Sequence, residues 1–527
     1  MHDDIPSKNN SGFLLGIDAG TTVIKSVIFD LSGNEVSSAS SRTTLIYPKP
    51  GWVEQDMYEV WESTKKTIKE AIKKAGLSGE DILGISVSAQ GGGLWLLDKD
   101  KKPVQNAVIW LDSRAAPISK AWEESGLKEK IYEATGYTCF LGAAPIILRW
   151  FKDNRREVLD RARYVVWCKD WIKACLTGEI CTDLSDPSLG LIDPWKNDYS
   201  KKSLELMGIS DYEHLLPPIV PSGKIMGRVT RQAAKETGLK EGTPVASGAM
   251  DTVSTPLGAG CVNGGDAYSI IGTAGIHGLI VEKPIIDPNK VCWFECHSVP
   301  NRWVLGSYAQ LATKNLDWFL ENFYKLELSY LTPKEAFAVL DDRVKNTPVG
   351  SGGVIYLPFL MGERAPFLKP EAKATFFGIG IETKKEHFLR AIYEGVAFST
   401  LHNFEAIENA SQMKIDVLRL TGGGSRSEVW SQIISDCLGV KVIVPKGKEF
   451  GARGAAINAA VAINLYKDYN DAVNNMVTIE RTYTPNAKNH EKYQKLYQIY
   501  KKLIASLFDI WTEICLLYTS PSPRDRG

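Results

Sequence analysis

The hydrophobic pattern of this chain is organised around one early stretch. Leu14-Leu15-Gly16-Ile17 is an apolar run that meets Asp18, turns through Gly20, Thr21 and Thr22, and re-enters a second run, Val23-Ile24-Lys25-Ser26-Val27-Ile28-Phe29. Two β-rich runs on either side of a glycine turn predict a β-hairpin. A third strand is expected over residues 35–41. Pro48, Pro50 and Gly51 then make an extended loop that delivers Trp52 and Glu54 to a surface. Asp56 can cap a helix over 57–74, where Val60, Trp61, Thr64 and Ile68 recur at helical spacing. Residues 82–88 read as a short buried strand ending at Ala89-Gln90 and three glycines, Gly91-Gly92-Gly93. Ligands in open α/β sheets gather at such carboxyl ends.

The alternation continues downstream. Residues 94–98 form another strand, and 145–154 and 168–176 read as helices, the second stopped by Thr177-Gly178. Residues 183–199 are loop-rich, and Leu215-Leu216-Pro217-Pro218 reads as a linker. A strand over 243–251 ends on Asp251, and 252–257 open a helix. A second glycine–hydroxyl hairpin follows, Ile270-Ile271-Gly272-Thr273-Ala274-Gly275-Ile276, echoing the first as a weak internal repeat. A strand over 353–360, a helix over 385–404, a strand over 417–420 running into Thr421-Gly422-Gly423-Gly424-Ser425, a helix over 428–438, a strand over 440–445 and a small-residue helix over 451–463 complete the pattern. The fold class is α/β, with a glycine turn at a strand end in each half. Residues 516–527 lose the apolar period and are expected to be a disordered or non-native tail.

Composition narrows the function classes. At 527 residues the chain is too long for one core, so two large domains are expected, with three as the alternative. The 62 basic and 62 acidic residues balance, which gives no bulk attraction to nucleic acid or an anionic membrane. No apolar run reaches the roughly 18 residues that span a bilayer. The polar start, residues 1–11, has no apolar signal core, so a cytoplasmic location is expected. The nine cysteines are dispersed without CxxC pairs, which argues for reduced thiols over a disulfide framework or a zinc site. Cys292 and Cys296 read as packing residues.

The first hairpin carries the chemistry that can be read from residue type alone. A glycine turn leaves backbone N–H groups exposed, and the hydroxyls of Thr21 and Thr22 beside them can ligate phosphate oxygens. Asp18 at the strand end can hold Mg²⁺, usually through water. The alternative is an ordinary hairpin with a polar turn. No Gly-Lys-Ser/Thr follows, and a strand comes next instead of a helix, so this is not a Walker loop.

Several separated motifs in order give the chain a resemblance. They are Gly16-Ile17-Asp18-Ala19-Gly20-Thr21-Thr22; Ser88-Ala89-Gln90; Trp110-Leu111-Asp112-Ser113-Arg114; Lys169-Asp170-Trp171; Gly248-Ala249-Met250-Asp251; Gly272-Thr273-Ala274-Gly275; and Thr421-Gly422-Gly423-Gly424-Ser425-Arg426-Ser427. Together they resemble the FGGY carbohydrate kinases, from about Phe13 to Leu507. The resemblance implies two ribonuclease-H-like domains of the actin/hexokinase/Hsp70 superfamily flanking a catalytic cleft. The N-terminal domain would span 12–260 with the sugar site, and the C-terminal domain 261–510 with the nucleotide site. The implied reaction is transfer of a phosphoryl group from ATP, with Mg²⁺, to a primary hydroxyl, and a homodimer is a further expectation.

The resemblance also assigns roles. Asp251 would be the general base and touch substrate and metal; position alone favours a helix N-cap. Asp18 would position Mg²⁺. Gly20, Thr21, Thr22, Gly272 and Thr273 would hold phosphates, with Lys25 either near them or a solvated charge. Gly422, Gly423, Gly424 and Ser427 would meet the adenosine, where a plain turn is the alternative. Gln90, Trp110, Asp112 and Arg114 would bind substrate, with Trp52 a wall or core residue; a local ion pair is the alternative for Asp112 and Arg114. Gly91-Gly92-Gly93 departs from the Arg-Glu of glycerol kinases and the Met-His-Gly of D-xylulose kinases. The Gln-Gly-x-Gly-Leu form looks most like L-xylulose kinases, and Trp110-Leu111-Asp112-Ser113-Arg114 closer to erythritol-type kinases. The expected substrate is L-xylulose or another pentulose, with a tetritol or other polyol as the alternative. A non-catalytic ATP-binding sugar sensor is the reading from another class.

Overall fold

A computed structural model describes residues 12–519, and the chain divides into two compact units that are not continuous in sequence. The first holds the residues up to Gly264 together with Ile280–Val304 and Gly447–Thr478; the second holds Gly265–Leu279, Leu305–Lys446 and the chain from Ile479 onward. Two segments beyond the expected 260/261 boundary, Ile280–Val304 and Gly447–Thr478, pack with the first unit.

In the first unit, β1 (Phe13–Ala19), β2 (Val23–Phe29) and β3 (Glu35–Arg42) form an antiparallel meander, and β4 (Ile82–Ala89) lies parallel to β1. With β5 (Ile225–Arg228) and β6 (Pro244–Ala246) the sheet order is β5-β6-β4-β1-β2-β3, and the short β7 (Ala249–Met250) pairs with the end of β4. The carboxyl ends of three adjacent parallel strands align, since Ala89 faces both Ala19 and Met250. Asp18, Gln90 and Asp251 thus leave the sheet at one edge. Helix α1 (Met57–Ala75) starts where Asp56 accepts the Tyr58 N–H at 2.8 Å and stops at Gly76, which is left-handed at φ 68°.

Strand β1 alternates its faces, as the two-residue period requires. Leu15, Ile17 and Ala19 join a core with Val60, Trp61 and Ile68 of α1. Leu14 joins a separate core on the other face, built with Ala452, Ala456, Ile457 and Ala460 of a distant helix, Phe450–Ala462. Gly16 and Asp18 share the Leu14 face. The helix Asp251–Gly258, here α2, follows β7 directly. Pro256 inside it does not break it.

In the second unit the same motif recurs. Strand β8 (Ala267–Ile271) is antiparallel to β9 (Gly275–Val281) and parallel to β11 (Val417–Thr421), and the order runs β10 (Trp303–Ala309), β9, β8, β11, β12 (Lys441–Pro445), β13 (Ile479–Tyr483). Helices α3 (Lys385–Ser411), α4 (Glu428–Leu438) and the last helix, Ala487–Thr519, belong to this unit, and Phe450–Ala462, now α5, to the first. The last helix continues through residues 516–519 of the stretch expected to be an unstructured tail; 520–527 lie outside the described residues. Cys292 and Cys296 are buried, and desolvation pushes both thiols up. Among the described residues no helix is long and apolar enough to cross a membrane.

Glycines let α5 approach its neighbours backbone to backbone. A Cβ on Gly16 would lie 1.9 Å from the Ala452 carbonyl oxygen, one on Gly258 1.9 Å from that of Phe450, and one on Gly454 1.9 Å from that of Ser254. Gly454→Ala should therefore force α2 and α5 apart and cost about 3 kcal/mol of stability, read as a lowered Tm. Gly380→Ala, where a Cβ meets open space, should leave Tm within about 1 °C of the parent.

Candidate active site

The acids at the strand ends are held in place by the packing just described. Asp18 points along the α5 face of β1, and the helix makes room for it: a Cβ on Gly451 would stand 2.8 Å from Asp18 Oδ2. The carboxylate thus lies against the first turn of α5, where unpaired N–H groups and the helix dipole favour negative charge. Asp251 is the first residue of α2, not its N-cap; the cap position is Met250, which makes no side-chain cap bond. Asp251 Oδ1 accepts the N–H of Thr252 at 2.8 Å.

Both carboxylates are half-buried, and desolvation is the main influence on each. Desolvation, with Lys25 opposing, pushes Asp18 from 3.8 to about 6. Desolvation and then the charge of Asp18 push Asp251 from 3.8 to about 7. Two further acids crowd the site, and the sequence reading did not single them out. Asp186, from the loop-rich region, accepts the Gly92 N–H at 2.9 Å and the Lys169 ammonium at 2.5 Å, and desolvation raises it to about 6. Glu295 accepts the Thr252 hydroxyl at 2.8 Å and desolvation raises it to about 8. A lone acid in the apolar run Trp293-Phe294-Glu295-Cys296 was the available signal for Glu295. Asp186 had none, because only the fold brings its loop to Gly92. A carboxyl poised near neutrality beside other acids is what a general base requires.

The Lys169-Asp170-Trp171 motif serves as scaffold. Asp170 Oδ2 accepts the Trp167 N–H and Trp171 Nε1 donates to the Met57 carbonyl at 2.7 Å. Lys169 lies within 3.1 Å of Asp183, whose other oxygen takes the Ser222 hydroxyl. Ser185 in turn accepts the Met250 N–H at 2.9 Å, beside Asp251.

The expected substrate residues fall into two groups. Gln90 is buried, donates Nε2 to Gln55 Oε1 at 2.7 Å, and its own Oε1 has no hydrogen-bond partner among the described residues. Trp110 is half-buried and donates its indole N–H to Thr21 Oγ1 at 2.8 Å. Asp112 and Arg114 take the local-pair geometry. Asp112 Oδ1 accepts Arg114 N and Nε, and Oδ2 accepts Val53 N and Arg114 Nη2, all within 2.6–2.9 Å. The guanidinium also bonds Glu54 and lies 4.1 Å over the Trp52 ring, leaving only Nη1 unpaired among the described residues. The three glycines after Gln90 answer to packing: a Cβ on Gly91 would meet Met250 Sδ at 2.6 Å, on Gly92 the Gly142 oxygen at 2.9 Å, and on Gly93 the Val108 oxygen at 2.5 Å.

On the hairpin turn, Thr22 is exposed and Gly20 N–H is tied to Val23 O. Thr21 Oγ1 receives a hydrogen bond from Trp110, and an indole can only donate, so the Thr21 proton is left for another acceptor. Lys25 pairs with Glu449 at 2.7 Å.

The second unit presents its residues separately. Thr273 is exposed, while Gly272 O and Thr273 O are tied to Thr313 and Ala312. Gly422, at φ 86°, and Gly424 are required by Ile271, whose atoms a Cβ at either position would meet within 2.6 Å. Gly423 alone is exposed with nothing within 4 Å of a Cβ. Ser427 caps α4, accepting Trp430 N–H at 3.0 Å and donating to Asp341 at 2.7 Å.

The donor set can be tested against Mg²⁺. Among the described residues no group of three or more His, Cys, Asp or Glu is arranged to hold a metal. Asp18 offers hard oxygens with an acid neighbour, which fits a cation that keeps several waters and takes one or two carboxylates. It does not fit an all-protein cage.

The model of the FGGY family of carbohydrate kinases matches in both parts, the N-terminal domain over residues 13–258 and the C-terminal domain over 267–463. The chain belongs to the FGGY family of carbohydrate kinases. It is 33% identical over 503 residues to an L-xylulose/3-keto-L-gulonate kinase of Escherichia coli, covering 94% of this chain and 97% of that one. It is 31% identical to an erythritol kinase of Brucella abortus, covering 96% and 98%. The ligand-bound xylulose kinase of Lactobacillus acidophilus superposes with a TM-score of 0.86 at 25% identity, covering 95% of this chain and all of that one. The fold is the actin/hexokinase-like fold of sugar kinases, and the chain is an ATP-dependent carbohydrate kinase.

The raised carboxyl of Asp251 has a consequence for this FGGY kinase's stability. A group whose folded value lies above its unfolded one contributes stability at low pH that is lost as pH rises through the folded value, here about 7. Asp251→Asn removes that loss. Its Tm should match the parent near pH 4 and exceed it by about 2–4 °C at pH 8, measured by scanning calorimetry.

Proposed function

We propose that this kinase transfers the γ-phosphoryl group of ATP to a primary hydroxyl of a small ketose, L-xylulose or another pentulose, with Asp251 as general base. The observation that carries the proposal is the position of Asp251: first residue of a helix at the carboxyl edge of a sheet, beside Asp18, with its carboxyl raised to about 7. A base near neutrality can take the hydroxyl proton as the bond to phosphorus forms, and most of the remaining acceleration comes from positioning and electrostatics.

The other assignments rest on the same edge. Asp18 would hold hydrated Mg²⁺, which when bound neutralises charge on the transferring phosphoryl oxygens; Asp251 lies close enough to couple to it electrostatically. The Thr21 and Thr22 hydroxyls, on the turn that Gly20 makes, would hold phosphate oxygens, and Gly272 and Thr273 would make the corresponding phosphate turn of the second unit. Gly423, with open space around it, is the glycine of the triplet that a nucleotide could approach; Gly422, Gly424 and Ser427 would support it. Gln90, with its unpartnered oxygen, and Trp110 would meet the substrate. Asp112 would act through Arg114, which has one N–H pair to offer. The relatives named above act, by their names, on L-xylulose, 3-keto-L-gulonate, erythritol and xylulose, which supports a ketose or short polyol. A homodimer is part of the proposal.

The test is coupled ADP release with ATP·Mg²⁺ against L-xylulose, D-xylulose, L- and D-ribulose, erythritol, ribitol, xylitol and glycerol. One pentulose should dominate, and Asp251→Asn should lower kcat by at least ~100-fold, with ATP binding retained. Erythritol as the dominant substrate would move the assignment to a tetritol kinase. ATP binding with no sugar-dependent ADP release would identify a sensor.

A further inference from the structure

Gln55 is the second residue of the two-residue strand Glu54–Gln55, directly before Asp56, the cap of α1, and 1% of its surface is exposed. Its side chain spends every polar atom inside the first unit. Nε2 donates to the Thr21 carbonyl at 2.8 Å and to Thr43 Oγ1 at 3.1 Å, while Oε1 accepts Gln90 Nε2 at 2.7 Å. The order of these bonds is not free. A backbone carbonyl can only accept, so the end of Gln55 that meets Thr21 must be its amino group. Thr43 agrees, since its own hydroxyl proton goes to the same carbonyl at 3.2 Å. Gln55 therefore turns its oxygen to Gln90, and Gln90 must answer with its amino group. The atom left over on Gln90 is Oε1, which is buried and without a partner among the described residues.

We infer that Gln55 is a specificity-positioning residue: it fixes the orientation of the Gln90 amide so that Gln90 presents a hydrogen-bond acceptor, and the substrate must supply a donating hydroxyl there. The inference rests on Gln90 being a substrate residue, as proposed above. A carbonyl, an ether oxygen or a carboxylate at that point of the substrate would face a buried acceptor with no proton between them, which costs as an unsatisfied polar group does. The same carbonyl of Thr21 that sets the polarity lies in the phosphate hairpin, so one chain of bonds registers Gln90 against Thr21. Trp110 completes the frame by holding the Thr21 hydroxyl.

The experiment measures kcat/KM for the best substrate of the panel and for its monodeoxy and mono-O-methyl analogues, in the parent, in Gln55→Met and in Gln55→Leu. In the parent, loss of one particular hydroxyl should cost about 10- to 100-fold. In both Gln55 variants the Gln90 amide can turn, and that penalty should fall to about threefold or less, while the penalties at other hydroxyls stay as they were. In Gln90→Leu the same hydroxyl should cease to matter, and adding Gln55→Met should change nothing further. A Gln55 variant that loses activity evenly on every analogue, keeping the full penalty, would overturn the inference and leave Gln55 a packing residue. A parent with strong sugar-dependent activity but no penalised hydroxyl would overturn it too, without touching the proposed reaction. A parent with no sugar-dependent ADP release would overturn both.

Discussion

Helix α5 can lie on β1 and α2 only because glycine stands at each point of closest approach. Gly16, Gly258 and Gly454 let backbone meet backbone, and Gly451 leaves the gap that the Asp18 carboxylate fills. The helix reaches this place from far along the chain, after most of the second unit has been made. The placement of Asp18 and Asp251 depends on that approach. It buries the outer face of β1, sets the start of α5 against Asp18, and fixes α2, whose first residue is Asp251.

The same closeness has an electrostatic result. At this edge Asp186 and Glu295 are buried and Asp18 and Asp251 half-buried, and desolvation raises all four carboxyls. Such crowding works against folding at neutral pH, and the buried lysines oppose it: Lys169 contacts Asp170, Asp183 and Asp186, and Lys173 contacts Asp170. Active sites often keep groups in environments that stability alone would not select. The acid edge of this kinase is such an environment.

Much of this was legible in the sequence. The hairpin at Asp18 and its echo at Gly272 were visible because their apolar runs and glycine turns are local. The motifs that place the chain in its family were visible because they are short and ordered. What escaped was whatever depends on tertiary proximity. The return of Gly447–Thr478 to the first unit could not be read from a linear pattern, and neither could Asp186 beside Gly92. The glycines after Gln90 were legible only as a departure from the Arg-Glu and Met-His-Gly forms, and the structure adds that a Cβ on each would meet a neighbour in the protein. Ser427 looked like a ligand residue from its motif, and its hydroxyl is engaged in capping α4. A motif fixes residue types; which of them are spent on holding the fold is decided by contacts made across the sequence.

Membership in the FGGY kinases fixes the donor, and the acid edge around Asp251 carries the proposal for the acceptor. The most direct measurement is the proton-coupled ³¹P spectrum of the product formed from ATP and the preferred sugar. Transfer to a primary hydroxyl predicts a phosphomonoester signal split into a triplet by the two protons of its carbon. A doublet would place the phosphoryl group on a secondary hydroxyl, and inorganic phosphate alone would mean that water, not a sugar, receives it; either would contradict the account.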